Sequence, residues 1–253
     1  MQFDLTSKVA LVTGASSGLG HHFAQTLATH GATVVVAARR VERLTKLVEA
    51  IQAKGGRAIA VACDVTDTAS IRACVEQAVA QAGGIDILVN NAGIADPAAA
   101  LETTEAQWNA TIDTNLNGAW HMAQQVAKTM VAAKRGGSII NIASILGLRV
   151  ATALPAYVAA KAGLIHLTKA LALEWARANI RVNAIAPGYI LTEINQEWFA
   201  SEGGQAAIKR IPQRRIGSPA DLDGPLLLLA SDASSYMTGS IIVADGGHAV
   251  NSL

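Results

Sequence analysis

A chain of 253 residues, 51% apolar and 15% charged, can bury a large core and still fit one α/β domain. A formal charge of +1 gives no general attraction to nucleic acid or an anionic membrane, so any basic site has to be local. No apolar run nears the ~18 residues of a membrane span, residues 1–8 carry an acid and no signal-length stretch, and Cys63 and Cys74 lack paired metal or redox spacing. The expectation is a cytoplasmic protein without metal, disulfide scaffold, nucleic-acid partner or membrane partner, its cysteines buried or on helix faces.

In chain order, short β-branched runs at 9–13, 33–37, 59–62, 85–89, 138–142, 180–185 and 241–243 predict strands. Helix-compatible stretches at 20–29, 41–54, 70–81, 118–134, 155–177 and 219–231 alternate with them. Apolar strands joined by helical crossovers predict a single-domain, Rossmann-like, doubly wound parallel sheet of about seven strands with helices on both faces. Its ligand is expected beyond the carboxyl ends of the strands. The segment 188–219, with Gly203, Gly204, Pro212 and Gly217, is the least regular and is the candidate substrate lid.

After the first strand comes Thr13-Gly14-Ala15-Ser16-Ser17-Gly18-Leu19-Gly20, opening a helix at His21. Glycines there permit a tight turn and close backbone approach to a pyrophosphate, which a helix N-terminus favours electrostatically. His21 and His22 read as exposed first-turn residues. At the end of the second strand, Ala38 and Arg39 stand where an acid would grip a ribose 2′-hydroxyl, with Arg40 next to them. A guanidinium pairs with a 2′-phosphate that a carboxylate would repel, which favours NADP(H) over NAD(H). The alternative is a pair of solvated residues at a helix start.

Tyr157 and Lys161 are four residues apart, so on a helix both project from one face. A free phenol titrates near ~10, and a neighbouring ammonium favours its anion, the direction a tyrosine needs to act as an acid near neutral pH. Ser144 has no Gly-x-Ser-x-Gly frame, which excludes a serine-hydrolase reading.

With these residues in place, the chain resembles the short-chain dehydrogenase/reductase family over essentially its whole length. The motifs are the turn 13–20, Asp64-Val65, Asn90-Asn91-Ala92-Gly93, Ser144, and Tyr157 with Lys161, then Pro187-Gly188 and Asp245-Gly246-Gly247. The resemblance implies that Asp64 and Val65 border the adenine and that Asn91, Ala92 and Gly93 shape the cofactor floor. It further implies that Pro187, Gly188, Ile190 and Thr192 meet the nicotinamide end. Taken alone, Asp64 would be a helix cap and Thr192 a cap of the segment that follows.

The family's catalytic set corresponds to Asn115, Ser144, Tyr157 and Lys161. Tyr157 is then the general acid/base of a ketone–alcohol interconversion, Lys161 lowers its pKa and holds the nicotinamide ribose, and Ser144 orients the carbonyl. Asn115 holds a helix irregularity and a water leading to Lys161. The substrate wall is expected from Leu146, Tyr189, Trp198 and Phe199 with Ser144 and Tyr157, although Trp198 and Phe199 could instead pack the lid. Arg149 could meet an anion or be solvated. Relatives that reduce 3-oxoacyl groups on acyl carrier protein use basic entrance residues; Arg135 matches one of them, while Ala178 stands at the position of another, with Arg177 beside it as a substitute. The rival from another class is a non-catalytic nucleotide-sensing regulator. A homotetramer is the expectation from the family.

Overall fold

Alternate residues of a strand face opposite sides of its sheet, and the apolar strands here are buried on both sides. In the computed structural model, which describes residues 3–193 and 195–250, Ala10 and Val12 of β1 (Val9–Thr13) enter one apolar layer and Val9 and Leu11 the other. The remaining strands are β2 (Thr33–Ala38), β3 (Arg57–Ala62), β4 (Ile87–Asn90), β5 (Gly137–Ile142), β6 (Ile180–Pro187) and β7 (Ile241–Ala244). All neighbours pair in parallel, in the order β3-β2-β1-β4-β5-β6-β7. Successive strands therefore leave β1 in one direction as far as β3, and the chain then returns to the other side of β1 at β4. The crevice between outgoing crossovers opens at that switch.

The first layer holds residues of α1 (Gly18–Thr29) and α2 (Val41–Ala53), together with Leu226, Leu227, Leu229 and Ala230 of a later helix. The opposite layer holds residues of α3 (Thr68–Ala82), a long helix of 118–132 and another of 155–175. Each fully buried Leu, Ile or Phe in these layers contributes roughly 1.5–3 kcal/mol of transfer free energy. No helix among the described residues is long and apolar enough to cross a membrane.

Four departures from the expected helices have local causes. Before residue 118 lies α4 (Glu105–Ile112), started by a capping box in which Thr104 Oγ1 accepts from Gln107 N and Gln107 Oε1 accepts from Thr104 N. From α4 the chain passes through one wide π turn (Asp113–Asn117) into α5 (Gly118–Ala132) without a break. The helix α6 (Pro155–Trp175) is followed by a tighter turn (Ala176–Ala178), after which Asn179 takes φ 58° and redirects the chain into β6. Inside the irregular segment are α7 (Gln196–Ala200) and α8 (Glu202–Arg210). Finally, Ser218 and Asp221 cap a tight turn (Pro219–Leu222) that precedes α9 (Asp223–Ala230), dividing what was expected as one helix.

Candidate active site

A cavity of about 620 Å³ lies across the carboxyl ends of β1 to β6, lined by the last residue of a strand or the one just past it: Gly14, Ala38, Cys63, Asn91, Ile142 and Pro187. At its first end the turn after β1 is held open by backbone geometry. Gly14 has φ +66°, and a Cβ there would lie 2.8 Å from Ala92 Cα. Gly18 has φ +55° with only Thr192 Cγ2 nearby, at 3.8 Å from a built Cβ, so the space above the turn is free for a ligand. Ser17 precedes α1 in extended conformation and makes no side-chain cap bond, and the first turn carries no acid. Its amides and positive helix end thus suit a pyrophosphate. Leu19 lines the same space, whereas Gly20 is turned inward, where a Cβ would strike Asn91 Nδ2 and Gly14 O.

Arg40 Nη2 donates to Ser16 Oγ at 2.9 Å and Ser17 Oγ at 3.0 Å, which fixes a guanidinium beside the turn. Arg39 extends into solvent and approaches Asp64 Oδ2 only to 4.0 Å. Of the two arginines, Arg40 is therefore the anchored one, although the residue pattern drew attention first to Arg39. Asp64 does not cap α3. It accepts from Thr66 N at 3.0 Å and Thr66 Oγ1 at 2.7 Å, bonds that hold its carboxyl below the usual range, and the cap of α3 is Asp67. Val65, Ala92 and Gly93 complete this wall with Asn91, whose Nδ2 donates to Thr13 O at 2.9 Å.

At the other end α6 presents Tyr157 and Lys161 on one side. Lys161 is 4% exposed; its ammonium lies 5.6 Å from the Tyr157 ring centroid and donates to Ile142 O at 2.8 Å. Ser144 lines the same end of the cavity as Tyr157, and its Oγ accepts from Leu146 N at 3.1 Å. Burial holds Lys161 down to about 8. Burial also pushes the Tyr157 phenol up. The expected depression of the phenol by Lys161 is absent: burial sets the direction of the shift, and the ammonium donates to Ile142 O. The remaining member of the expected tetrad, Asn115, is 1% exposed on the π turn and stands behind the cavity wall. Its Oδ1 accepts from Ile94 N at 2.9 Å and its Nδ2 donates to Ile94 O at 2.7 Å. A Cβ on Gly93 would come within 2.6 Å of Asn115 Oδ1 and 3.7 Å of Lys161 Nζ, so glycine is what lets these groups converge.

The structure brings Leu146, Tyr189, Ile190 and Thr192 to the cavity together with Pro187 and Gly188. Trp198 and Phe199, expected in the substrate wall, do not line it. They pack behind Tyr189, with ring centroids 6.0 Å and 5.3 Å from it, so their apolar area supports the wall from outside. Arg149 meets the carbonyls of His248 and Ala249 at 3.3 and 3.2 Å. Arg135 follows α5 and precedes β5, at the amino end of the strands and so opposite the cavity, near Gly83 O. Sequence reasoning missed Asn195, which lines the cavity while its side chain bonds Thr192 N and Ile190 O, both at 2.9 Å. It also missed a buried relay in which Asn90 Nδ2 donates to Asn141 Oδ1 at 3.0 Å and Asn141 Nδ2 donates to Thr168 Oγ1 at 2.9 Å. An asparagine inside the apolar strand Ser138-Ile139-Ile140-Asn141-Ile142 was the available signal.

The family profile described as Enoyl-(Acyl carrier protein) reductase matches residues 14–249. The chain is 42% identical over 246 residues to the 2-dehydro-3-deoxy-D-gluconate 5-dehydrogenase of Escherichia coli, covering 97% of this chain and 96% of that protein. It is 40% identical over 243 residues to the 3-oxoacyl-(acyl-carrier-protein) reductase of Thermotoga maritima, covering 96% and 98%. Among solved structures, a gluconate 5-dehydrogenase from Burkholderia cenocepacia in complex with NADP and tartrate superposes with a TM-score of 0.95 at 35% identity, covering 99% of this chain and 98% of that one.

Proposed function

We propose, from the premise that this chain belongs to the short-chain dehydrogenase/reductase family and is an oxidoreductase of that family, that it is an NADP(H)-preferring carbonyl reductase and alcohol dehydrogenase with Tyr157 as its acid and base. The observation that carries this reading is the meeting of Tyr157, Ser144 and the buried Lys161 in one dinucleotide-sized cavity. When bound, the nicotinamide supplies or accepts the hydride at the substrate carbon. The turn Gly14 to Leu19 and the N-terminus of α1 would hold its pyrophosphate, Arg40 a 2′-phosphate, and Asp64 and Val65 the adenosine side. Lys161 would hold the ribose next to the nicotinamide, and Pro187, Gly188, Ile190 and Thr192 would edge the ring.

In the direction of reduction, Ser144 Oγ donates to the carbonyl oxygen and Tyr157 gives that oxygen its proton as charge develops there. Burial keeps the phenol protonated, which readies the acid form. In the reverse direction tyrosinate takes the alcohol proton, so kcat/KM for oxidation rises into the alkaline range. Lys161 stabilises the phenolate that forms, and Asn115 keeps the π turn and Ile94 in place behind it. The segment 188–219 acts as the lid. Its base is tied by Leu191 N to Gly217 O at 2.8 Å and Gly217 N to Tyr189 O at 2.9 Å, a clasp about which the intervening helices can move.

The first substrates to test are oxo and hydroxy sugar acids, given the names of the Escherichia coli and Burkholderia relatives. A 3-oxoacyl thioester is the second reading, favoured by the apolar Ile145, Leu146 and Leu154 beside Ser144 and by the Thermotoga relative. Both call for the same catalytic groups. Assembly as a homotetramer is supported by the apolar residues Trp108, Val131 and Leu173 exposed on α4, α5 and α6 and by Val243 on the edge strand β7. The deciding experiment follows NADPH and NADH consumption over a panel of these carbonyl compounds with Tyr157→Phe alongside. Turnover should prefer NADPH and fall by about 10² to 10⁴ in the variant with cofactor binding retained. A variant as active as the parent removes Tyr157 from the chemistry, and NADPH binding without consumption of any panel member turns the reading towards a sensor.

A further inference from the structure

Three polar side chains lie among the apolar residues beneath the catalytic end, and their hydrogen bonds run from one helix of the catalytic set to the other. Asn90, Asn141 and Thr168 are 4%, 1% and 0% exposed, and Asn90 and Asn141 are register partners in the β4–β5 ladder. Asn90 Nδ2 donates both to Ala119 O, in the first turn of α5, and to Asn141 Oδ1, each at 3.0 Å. Asn141 Nδ2 donates to Thr168 Oγ1 at 2.9 Å, and the Thr168 hydroxyl in turn donates to Leu164 O of α6 at 2.8 Å. Ala119 follows Asn115 by four residues, and Thr168 follows Lys161 by seven, about two turns along the same side of the helix. Since Lys161 Nζ donates to Ile142 O, α6 is tied to β5 at two successive residues, 141 and 142. The relay therefore lies one residue below the cavity wall, which Asn91 and Ile142 begin. Apolar contact is non-directional and lets a helix slide or rotate against a sheet, whereas a chain of buried hydrogen bonds has one register. Apolar groups of matching shape at all three places would serve the core about as well, and what they would lose is that register.

We propose that Thr168, acting through Asn141, is a positioning residue for the Tyr157–Lys161 pair: the relay sets the height of α6 on the sheet, and with it the reach of Lys161 to Ile142 O and the place of Tyr157 beside Ser144. Thr168 touches neither substrate nor cofactor. The inference rests on the roles given above to Tyr157, Ser144 and Lys161. Loss of the Thr168 hydroxyl leaves Asn141 Nδ2 buried without its acceptor, and a shift of α6 or entry of a water between residues 141 and 168 relieves that cost. A displacement on the order of 1 Å at the reacting groups lowers turnover by up to about 10²-fold. The glycine turn, Arg40 and Asp64 lie outside α6, so the cofactor binds much as before.

The test compares Thr168→Val, of the same shape without the hydroxyl, with Thr168→Ser, which restores it, in steady-state NADPH oxidation on whichever carbonyl compound the parent reduces. Thr168→Val should lower kcat about 10- to 100-fold with the KM for NADPH within about twofold of the parent, and Thr168→Ser should return kcat to within about threefold. Ser138→Ala is the stability control. It breaks a buried bond to Leu229 O of 2.7 Å on the other face of β5 and should lower the melting temperature with kcat unchanged. A valine variant with the parent's kcat, a loss no larger than that in Ser138→Ala, a serine variant as slow as the valine one, or a fall expressed wholly in KM would each overturn the proposal. If Thr168→Val does not fold, Thr168→Cys, whose thiol hydrogen-bonds only weakly, takes its place in the same comparison. If the parent reduces no member of the panel, the reading of the site has failed rather than the relay, and hydrogen exchange of the amides of residues 157–161 decides the latter. Exchange about tenfold faster in the valine variant than in the serine variant supports the relay as the anchor of α6, and equal exchange overturns it.

Discussion

Lys161 is an ammonium placed where water is nearly excluded, and its consequences are measurable without a substrate. Its proton is released in the folded protein at about 8, below the ordinary 10.5, while the unfolded chain keeps that proton until the higher value. Between those values the unfolded state binds more protons, so stability rises with pH. The gain across the interval is roughly 2–3 kcal/mol, and most of it falls below the range in which the raised Tyr157 titrates. Denaturant melts from pH 7.5 to 10 should follow that slope in the parent and lose it in Lys161→Met. Arg40 makes the second prediction at this scale. A charge-assisted bond to a 2′-phosphate contributes about 1.5–3 kcal/mol, so Arg40→Ala should raise the KM for NADPH roughly 10- to 100-fold and leave that for NADH nearly unchanged. An equal effect on both cofactors would mean that Arg40 serves only to brace Ser16 and Ser17.

At the scale of elements, the wide turn between α4 and α5 positions a catalytic-set residue by main-chain irregularity. Asn115 supplies both halves of a reciprocal pair with Ile94, so Asn115→Ala leaves a part-buried N–H and C=O of Ile94 without these partners. The expected loss is about 1–3 kcal/mol in denaturant unfolding, with turnover falling as well, whereas Asn115→Asp retains the acceptor and should recover part of the stability. Period and turn chemistry made the seven strands and the glycine turn legible, because strands buried on both faces leave runs such as Val34-Val35-Val36 that nothing else produces. Tyr157 and Lys161 were legible as a pair from their four-residue helix spacing, whereas Ser144 and Asn115 drew notice through family resemblance alone. The π turn carries no period of its own, and α4 was readable only from Thr104 and Gln107. The Trp198 and Phe199 placement depended on which face of a five-residue helix meets Tyr189, a choice that composition does not make. The change in sign of the Tyr157 shift was hidden for the same reason: desolvation is a property of the assembled wall.

Across the whole molecule, the ladder between β1 and β4 is the thinnest in the sheet. It pairs Ala10, Leu11 and Val12 with Ile87, Leu88 and Val89, against six registered pairs between β2 and β3 and six between β5 and β6. Thr13 reinforces the top of this seam by taking the amides of Asn91 and Ala92 at 3.0 and 3.1 Å. Arg40, Asp64 and Val65 belong to the part of the chain before β4, and Ser144, Tyr157 and Lys161 belong to the part after it. A dinucleotide spanning the cavity would therefore act as a staple across two half-sheets. Hydrogen exchange at Leu11, Val12 and Leu88 should slow when the whole dinucleotide is bound. Adenosine 2′,5′-bisphosphate, which can grip only the first half, should protect the residues around α1 and α2 and leave the seam exchanging as before, making the order in which the protein tightens a readout of which half of its ligand has arrived.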